Sequence, residues 1–297
     1  MEFKSRVRTN WAFSKVTFFG MCLAVLFSAS GIQGTELKSR FAKFGDTKVH
    51  YQDSGKGKEA LIFVHGWTCD SNFWRGQTSA FPGQRVIAVD LPGHGQSDKP
   101  QLSYTMTFFA HSIDAVMRDA KVERAVLVGH SMGTPIIWQF YKLYPDKTLS
   151  LVIVDGALRL FFPKAQMDQF LERLRSNYQT AGSQMVDGLL APIKDAKLKG
   201  EIRTAMLSAP DYVAISAMEG MADEKVYEKA PIKVPVLAIL AKSPFWSADT
   251  EQFLRSLAPN LEYHMWDDVS HFLMMERPQE FNETLKGSLT KNKLLKR

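Results

Sequence analysis

The covalent chemistry that the residue pattern announces turns on Ser131. It stands in Gly129-His130-Ser131-Met132-Gly133, directly after the apolar run AVLV (125–128) and before a stretch with helical spacing. A serine between glycines at a strand-to-helix turn is held on a sharp backbone bend, with its hydroxyl standing clear of the sheet. The bare G-x-S-x-G pattern is weak; its place between a buried strand and an amphipathic helix gives it weight. A serine hydroxyl is a poor nucleophile without a base. Downstream only His264 and His271 remain. His264 falls within the strand pattern 262–266. His271 follows that strand, at the end of a parallel sheet where ligands collect, and is read as the base. An oxyanion needs two donors. The Met132 N–H, next after the serine, is the first. The second is expected in the loop after residues 60–64, where His65-Gly66-Trp67 offers the Trp67 N–H. His65 could itself be mistaken for a base, but it reads as structural, because it immediately follows a buried strand.

These groups need a scaffold, and the alternation of patterns supplies one. Residues 48–53 (KVHYQD) alternate polar and apolar as an edge or antiparallel strand would. Continuous apolar runs at 60–64, 85–89, 125–128, 151–154 and 236–240 read as strands buried on both faces, and 262–266 as a further strand. Helical spacing covers 104–120 and 131–144. Some 80 residues between LVIV (151–154) and VLAIL (236–240) carry no strand pattern. There 168–176, 195–208 and 211–222 read as helices, so the stretch is a helical insertion and not a linker. Short apolar strands separated by amphipathic helices imply an α/β fold, a largely parallel sheet with helices on both faces.

With those residues placed, the chain resembles the α/β-hydrolase fold family over about residues 40–290. The resemblance rests on His65-Gly66-Trp67, Asp90-Leu91-Pro92-Gly93-His94-Gly95-Gln96-Ser97, the Ser131 elbow and His271-Phe272. It implies a mostly parallel eight-stranded sheet and a helical cap inserted after the sixth strand. Residues 31–156 would then form the first part of the core, 157–231 the cap and 232–297 the second part. It also implies that Asp90, Gly93 and Gly95 build a structural turn and that no cofactor or metal is required.

The chain departs from the family at the third member of the triad. The usual acid follows the seventh strand, but here Leu240 leads into Ala241-Lys242-Ser243-Pro244, with no carboxylate. Some members carry the acid after the sixth strand, which is Asp155 in this chain and the assignment favoured here. Asp249 is the alternative, although it reads as the cap of a following helix. A serine–histidine pair without an acid is the third possibility. The activity implied is cleavage of a small, apolar ester through an acyl-enzyme. Lactone hydrolysis, perhydrolysis, carbon–carbon bond hydrolysis and slow-turnover ligand binding stay open. Phe161, Phe162, Met167, Met206, Met218 and Met221 would give the cap an apolar face toward substrate.

Composition sets the outer bounds. Apolar residues make up 45% and charged residues 23% of 297, which excludes wholesale disorder. Half of the net charge of +6 sits in residues 1–30, where Lys4, Arg6, Arg8 and Lys15 outweigh Glu2. The mild remainder is not the clustered basic surface of a nucleic-acid binder. The apolar run at 16–29, short and followed by small residues, reads as a signal peptide spanning 1–30. Export to a secreted or periplasmic location follows, with an uncleaved membrane anchor as the alternative. Cys22 would leave with that segment, and Cys69 would remain as a lone buried thiol. A small-molecule substrate is the expected partner; the oligomeric state is left open.

Overall fold

The computed structural model describes residues 37–295, and Asn10 besides; Cys22 and, apart from Asn10, the segment read as a signal peptide lie outside the described residues. Eight strands form one sheet: β1 (Lys38–Phe44), β2 (Thr47–Ser54), β3 (Glu59–Val64), β4 (Val86–Val89), β5 (Arg124–His130), β6 (Thr148–Val154), β7 (Val236–Ala241) and β8 (Leu261–Trp266). Their order is β1-β2-β4-β3-β5-β6-β7-β8. The first two pairings, β1 with β2 and β2 with β4, are antiparallel; all others are parallel. The parallel strands β4 and β7 are buried at every position, which explains why they read as unbroken apolar runs.

The helices in chain order are α1 (Arg75–Thr78), α2 (Met106–Asp119), α3 (Gly133–Leu143), α4 (Lys164–Ser176), α5 (Tyr178–Leu190), α6 (Ala196–Met206), α7 (Asp211–Met221), α8 (Thr250–Leu257), α9 (Leu273–Glu276) and α10 (Pro278–Lys291). Thr105 caps α2 by accepting from the Phe108 N–H, and Asp195 caps α6 by accepting from Lys197 and Leu198. Helices α4 to α7 lie between β6 and β7 and form the cap.

Some elements escape the sequence patterns, β1 and α5 among them. Strand β1 buries only Ala42 among seven residues, so it has no apolar stripe; its Lys38, Arg40 and Lys43 are the charges that keep a sheet edge from pairing with other chains. Helix α5 contains Gly182 and Gly188, which weaken its helical signal. Helix α3 also begins two residues later than its spacing predicts, because Ser131 is not helical (φ 53°).

The cap is docked on the core through α7. The Trp67 indole N–H donates to Ala214 O (2.7 Å), and the Tyr104 N–H donates to Ser216 Oγ (2.9 Å). Gly220 completes the contact: a Cβ there would lie 2.4 Å from Tyr104 O, a main-chain atom that cannot swing aside. Gly200 in α6 has nothing within 4 Å of the same position. The two glycines should therefore respond oppositely to alanine. Helix propensity favours the change by about 1 kcal/mol at either site, but crowding in a packed contact costs roughly 1–3 kcal/mol. Urea unfolding should show Gly200→Ala raising the midpoint and Gly220→Ala lowering it.

Candidate active site

Ser131 sits at the end of β5 with φ 53°, in the left-handed region that costs a non-glycine residue about 1–3 kcal/mol. The surrounding structure holds it there. Its N–H donates to Val154 O (2.9 Å), and its carbonyl accepts from the Thr134 N–H (2.9 Å). The bend has no room for side chains on either flank. A Cβ on Gly129 would lie 2.4 Å from Gly133 O, and one on Gly133 would lie 2.5 Å from Val64 O.

Asp155 directly follows β6 in the same left-handed region (φ 41°) and is buried. Its Oδ2 meets His271 Nδ1 at 2.6 Å. Its Oδ1 accepts from the Ala241 N–H (2.8 Å) and from the Trp246 indole N–H (3.2 Å). A carboxylate in that setting accepts only, so His271 Nδ1 carries the proton and Nε2 presents a lone pair. His130, the second residue of the elbow motif, donates from Nε2 to the His271 carbonyl (2.8 Å), and the two rings lie 4.6 Å apart. Burial, with the neighbouring His271 ring, holds His130 well below the ordinary histidine range, so it stays neutral.

Ser131, Asp155 and His271 line one cavity of about 470 Å³, together with Gly66 and Trp67. The Ser131 hydroxyl and the imidazole have no hydrogen bond between them; such bonds often tighten only with substrate in place. The Gly66–Trp67 main chain passes against the serine, since a Cβ on Gly66 would lie 3.0 Å from Ser131 Cβ. Among the described residues no hydrogen bond engages the Trp67 or the Met132 main-chain N–H. His65 is wholly buried, with Nδ1 at Gly66 O (2.8 Å) and Nε2 accepting from the Leu91 N–H (3.1 Å), and it ties two loops together. His264 pairs with Glu262 on β8 (3.1 Å).

Asp249 holds the position of one of its sequence readings but makes neither of the contacts they imply. It stands at the N-cap of α8 but makes no side-chain capping bond. Its carboxylate turns instead to Arg159 (2.8 and 3.0 Å) and not to His271. The guanidinium, with help from Ser247, holds the Asp249 carboxyl below the usual carboxylate range. That ion pair joins the entry to the cap with the loop after β7. Phe161 packs on Trp246 (6.3 Å) and Phe162 on Phe245 (5.7 Å) across the same seam. Arg159, Trp246 and the anchoring role of His130 carry no sequence signal, because their partners lie 90 or more positions away in the chain.

All six apolar cap residues named from the sequence line the cavity, and Met185, Phe170 and Leu189 join them. Cys69 lies in its wall, buried, and burial pushes its thiol well above the ordinary cysteine range. Among the described residues no group of three histidine, cysteine or acidic side chains is placed to hold a metal ion.

Residues 59–192 match the sequence profile of the alpha/beta hydrolase fold. The chain is 28% identical over 264 residues to a 2-hydroxy-6-oxononadienedioate/2-hydroxy-6-oxononatrienedioate hydrolase of Paraburkholderia phymatum, across 81% of this chain and 90% of that one. Its structure is similar to an esterase from Exiguobacterium antarcticum (TM-score 0.76, 21% identity, 85% of this chain and 100% of the other). It is also similar to an N-acyl homoserine lactone degrading enzyme (TM-score 0.70, 25% identity, 84% and 99%).

A second carboxylate, Asp90, holds the loop that carries Trp67. It accepts from the Ser71 N–H (2.6 Å), the Gln96 N–H (2.9 Å) and His50 Nδ1 (2.8 Å). Burial by itself would raise its pKa, but the His50 and Gln96 hydrogen bonds outweigh it and hold the carboxyl at about 2. A group depressed on folding stabilises the protein above its unfolded pKa, about 3.9, and that contribution is lost as pH falls through the folded value. Stability attributable to Asp90, about 2 kcal/mol, should therefore disappear between about pH 4 and pH 2. Urea titrations of wild type and Asp90→Asn across that window should converge at the acid end.

Proposed function

From the premise that the chain belongs to the α/β-hydrolase fold family, we propose that it is a serine hydrolase that cleaves small, apolar ester-type substrates through an acyl-enzyme. The observation that carries this reading is the Asp155–His271 hydrogen bond of 2.6 Å on the wall of the apolar cavity that also exposes Ser131. In this reading Ser131 Oγ attacks the ester carbonyl while His271 Nε2 takes its proton. The Trp67 and Met132 N–H groups receive the oxyanion of the tetrahedral intermediate. His271 then returns the proton to the departing alcohol, and water activated by the same imidazole releases the acid. Asp155 keeps the imidazole in the required tautomer and stabilises the imidazolium between the two transfers. The phenylalanines and methionines of the cap receive the apolar part of the substrate.

Carbon–carbon bond hydrolysis is the second reading. It is supported by the relative from Paraburkholderia phymatum, matched across 90% of its length. Both readings use the same three residues, so a panel of short-chain p-nitrophenyl esters, lactones and vinylogous diketones decides between them by kcat/KM. We propose also that residues 1–30 direct export and are removed. Mass spectrometry of exported protein should give an N-terminus near Gly31, and an intact Met1 would speak for an anchor instead.

A fluorophosphonate should label wild type rapidly, with the adduct on the peptide that contains Ser131, and Ser131→Ala should lose that rapid labelling. Asp155→Asn should lower kcat by about 10⁴, as loss of the acid does in comparable triads. Asp249→Asn should change kcat less than Asp155→Asn by at least a hundredfold. Near-wild-type turnover in Asp155→Asn would remove Asp155 from the mechanism.

A further inference from the structure

A second chain of serine, histidine and aspartate lies at the far edge of the sheet. Ser39 is on the edge strand β1, exposed, and its Oγ is 2.8 Å from His50 Nε2. His50 is on β2 and wholly buried; its Nδ1 is 2.8 Å from Asp90 Oδ2. Each member is fixed by something else. The β1–β2 register sets Ser39 opposite Gln52 and Phe41 opposite His50, and the Phe41 ring covers the imidazole at 5.1 Å. The His50 N–H donates to Ser97 Oγ (2.8 Å), which itself donates to the Asp90 carbonyl (2.6 Å), and the Asp90 N–H donates to the His50 carbonyl (3.0 Å).

The donor and acceptor roles follow from the acid. Asp90 already accepts two main-chain N–H groups and has no proton to offer, so His50 Nδ1 must be the donor. Nε2 is then an acceptor, and the only proton between it and Ser39 is the hydroxyl's own. This is the arrangement of an activated nucleophile: a hydroxyl on a base that a third group orients. The Asp155 site shares the aspartate–histidine polarity but adds a strained turn at Ser131, with the Gly66–Trp67 main chain against it. Among the described residues Ser39 is exposed on an edge strand.

We propose that Ser39 is a second nucleophile, separate from the Ser131 site, that takes acyl groups from activated esters. Ser39 Oγ forms a bond to the acyl carbon, its proton passes to His50 Nε2, and the bond from that carbon to the leaving oxygen breaks, releasing a phenolate. The imidazolium, paired with Asp90, then gives its proton to solvent. The product is an O-acylated Ser39 on the protein's surface.

The test uses the full chain with Ser131→Ala, so that the main site is silent, and p-nitrophenyl acetate as the acyl donor. Acetylation is mapped and timed by peptide mass spectrometry. The exposed Ser79 and Ser103 serve as internal comparators. A positioned base contributes roughly 10²–10⁴ in rate, so Ser39 should be acetylated at least tenfold faster than either comparator. That advantage should vanish in concentrated urea, where the array is dismantled but the serine remains. His50→Gln should bring Ser39 down to the comparators. Ser39→Ala should leave labelling of Ser131 in the otherwise wild-type chain unchanged. Acetylation of Ser39 no faster than Ser79 and Ser103 in the folded chain, or an advantage that survives urea, would overturn the proposal. Neither result depends on whether Ser131 proves reactive, because the peptides are read separately.

Discussion

Buried carboxylates must be given donors, and the whole site is organised by how this is done for Asp155. A carboxylate taken out of water without partners costs several kcal/mol. Asp155 avoids that cost by accepting from Ala241 at the end of β7, from Trp246 in the loop beyond it and from His271 beyond β8. Three neighbouring parallel strands therefore have to end at one level. Their register allows it, with Val154 opposite Ile239 and Ala241 opposite Trp266. The serine is tied to the same point, since its N–H bonds to the last carbonyl of β6.

Asp90 does for the other side of the cavity what Asp155 does for this one. It anchors Ser71, Gln96 and His50, and so it fixes the loop that runs from Gly66 to the start of α1. His65 closes the link by accepting from Leu91. The Gly66–Trp67 main chain is thus held against Ser131 from one direction while Asp155 holds the imidazole from another. The same carboxylate also serves the Ser39 array, which makes Asp90 the shared element of the two serine arrangements.

The cap is attached at both of its ends by contacts of different kind. Where it leaves β6, an Arg159–Asp249 ion pair and two aromatic contacts stitch it to the loop after β7. Where it returns, α7 lies close on the core through Gly220 and the Trp67 indole. The first seam places Trp246 against Asp155, so the shape of the apolar pocket and the orientation of the acid depend on one loop.

Much of this was legible in the residues alone. Buried parallel strands need apolar side chains on both faces, so they announce themselves as unbroken runs, and the sharp turn at Ser131 needs glycine on both flanks. These are local demands, and each is met by residues within a few positions. The edge strand β1 and the glycine-containing α5 were not legible: β1 buries only Ala42, and the buried stripe of α5, Tyr178, Gly182, Val186 and Leu190, is interrupted by a glycine. The partners of Asp155 and Asp249 could not be read from spacing either. Both are single aspartates after a strand, and only the folded chain brings Arg159 to one and His271 to the other. What the sequence determined by itself is therefore the scaffold and the sharp turn that carries Ser131, whose physics is local. The long-range partners of the buried polar groups were decided by the tertiary structure, because hydrogen bonds between residues a hundred positions apart leave no periodic trace along the chain.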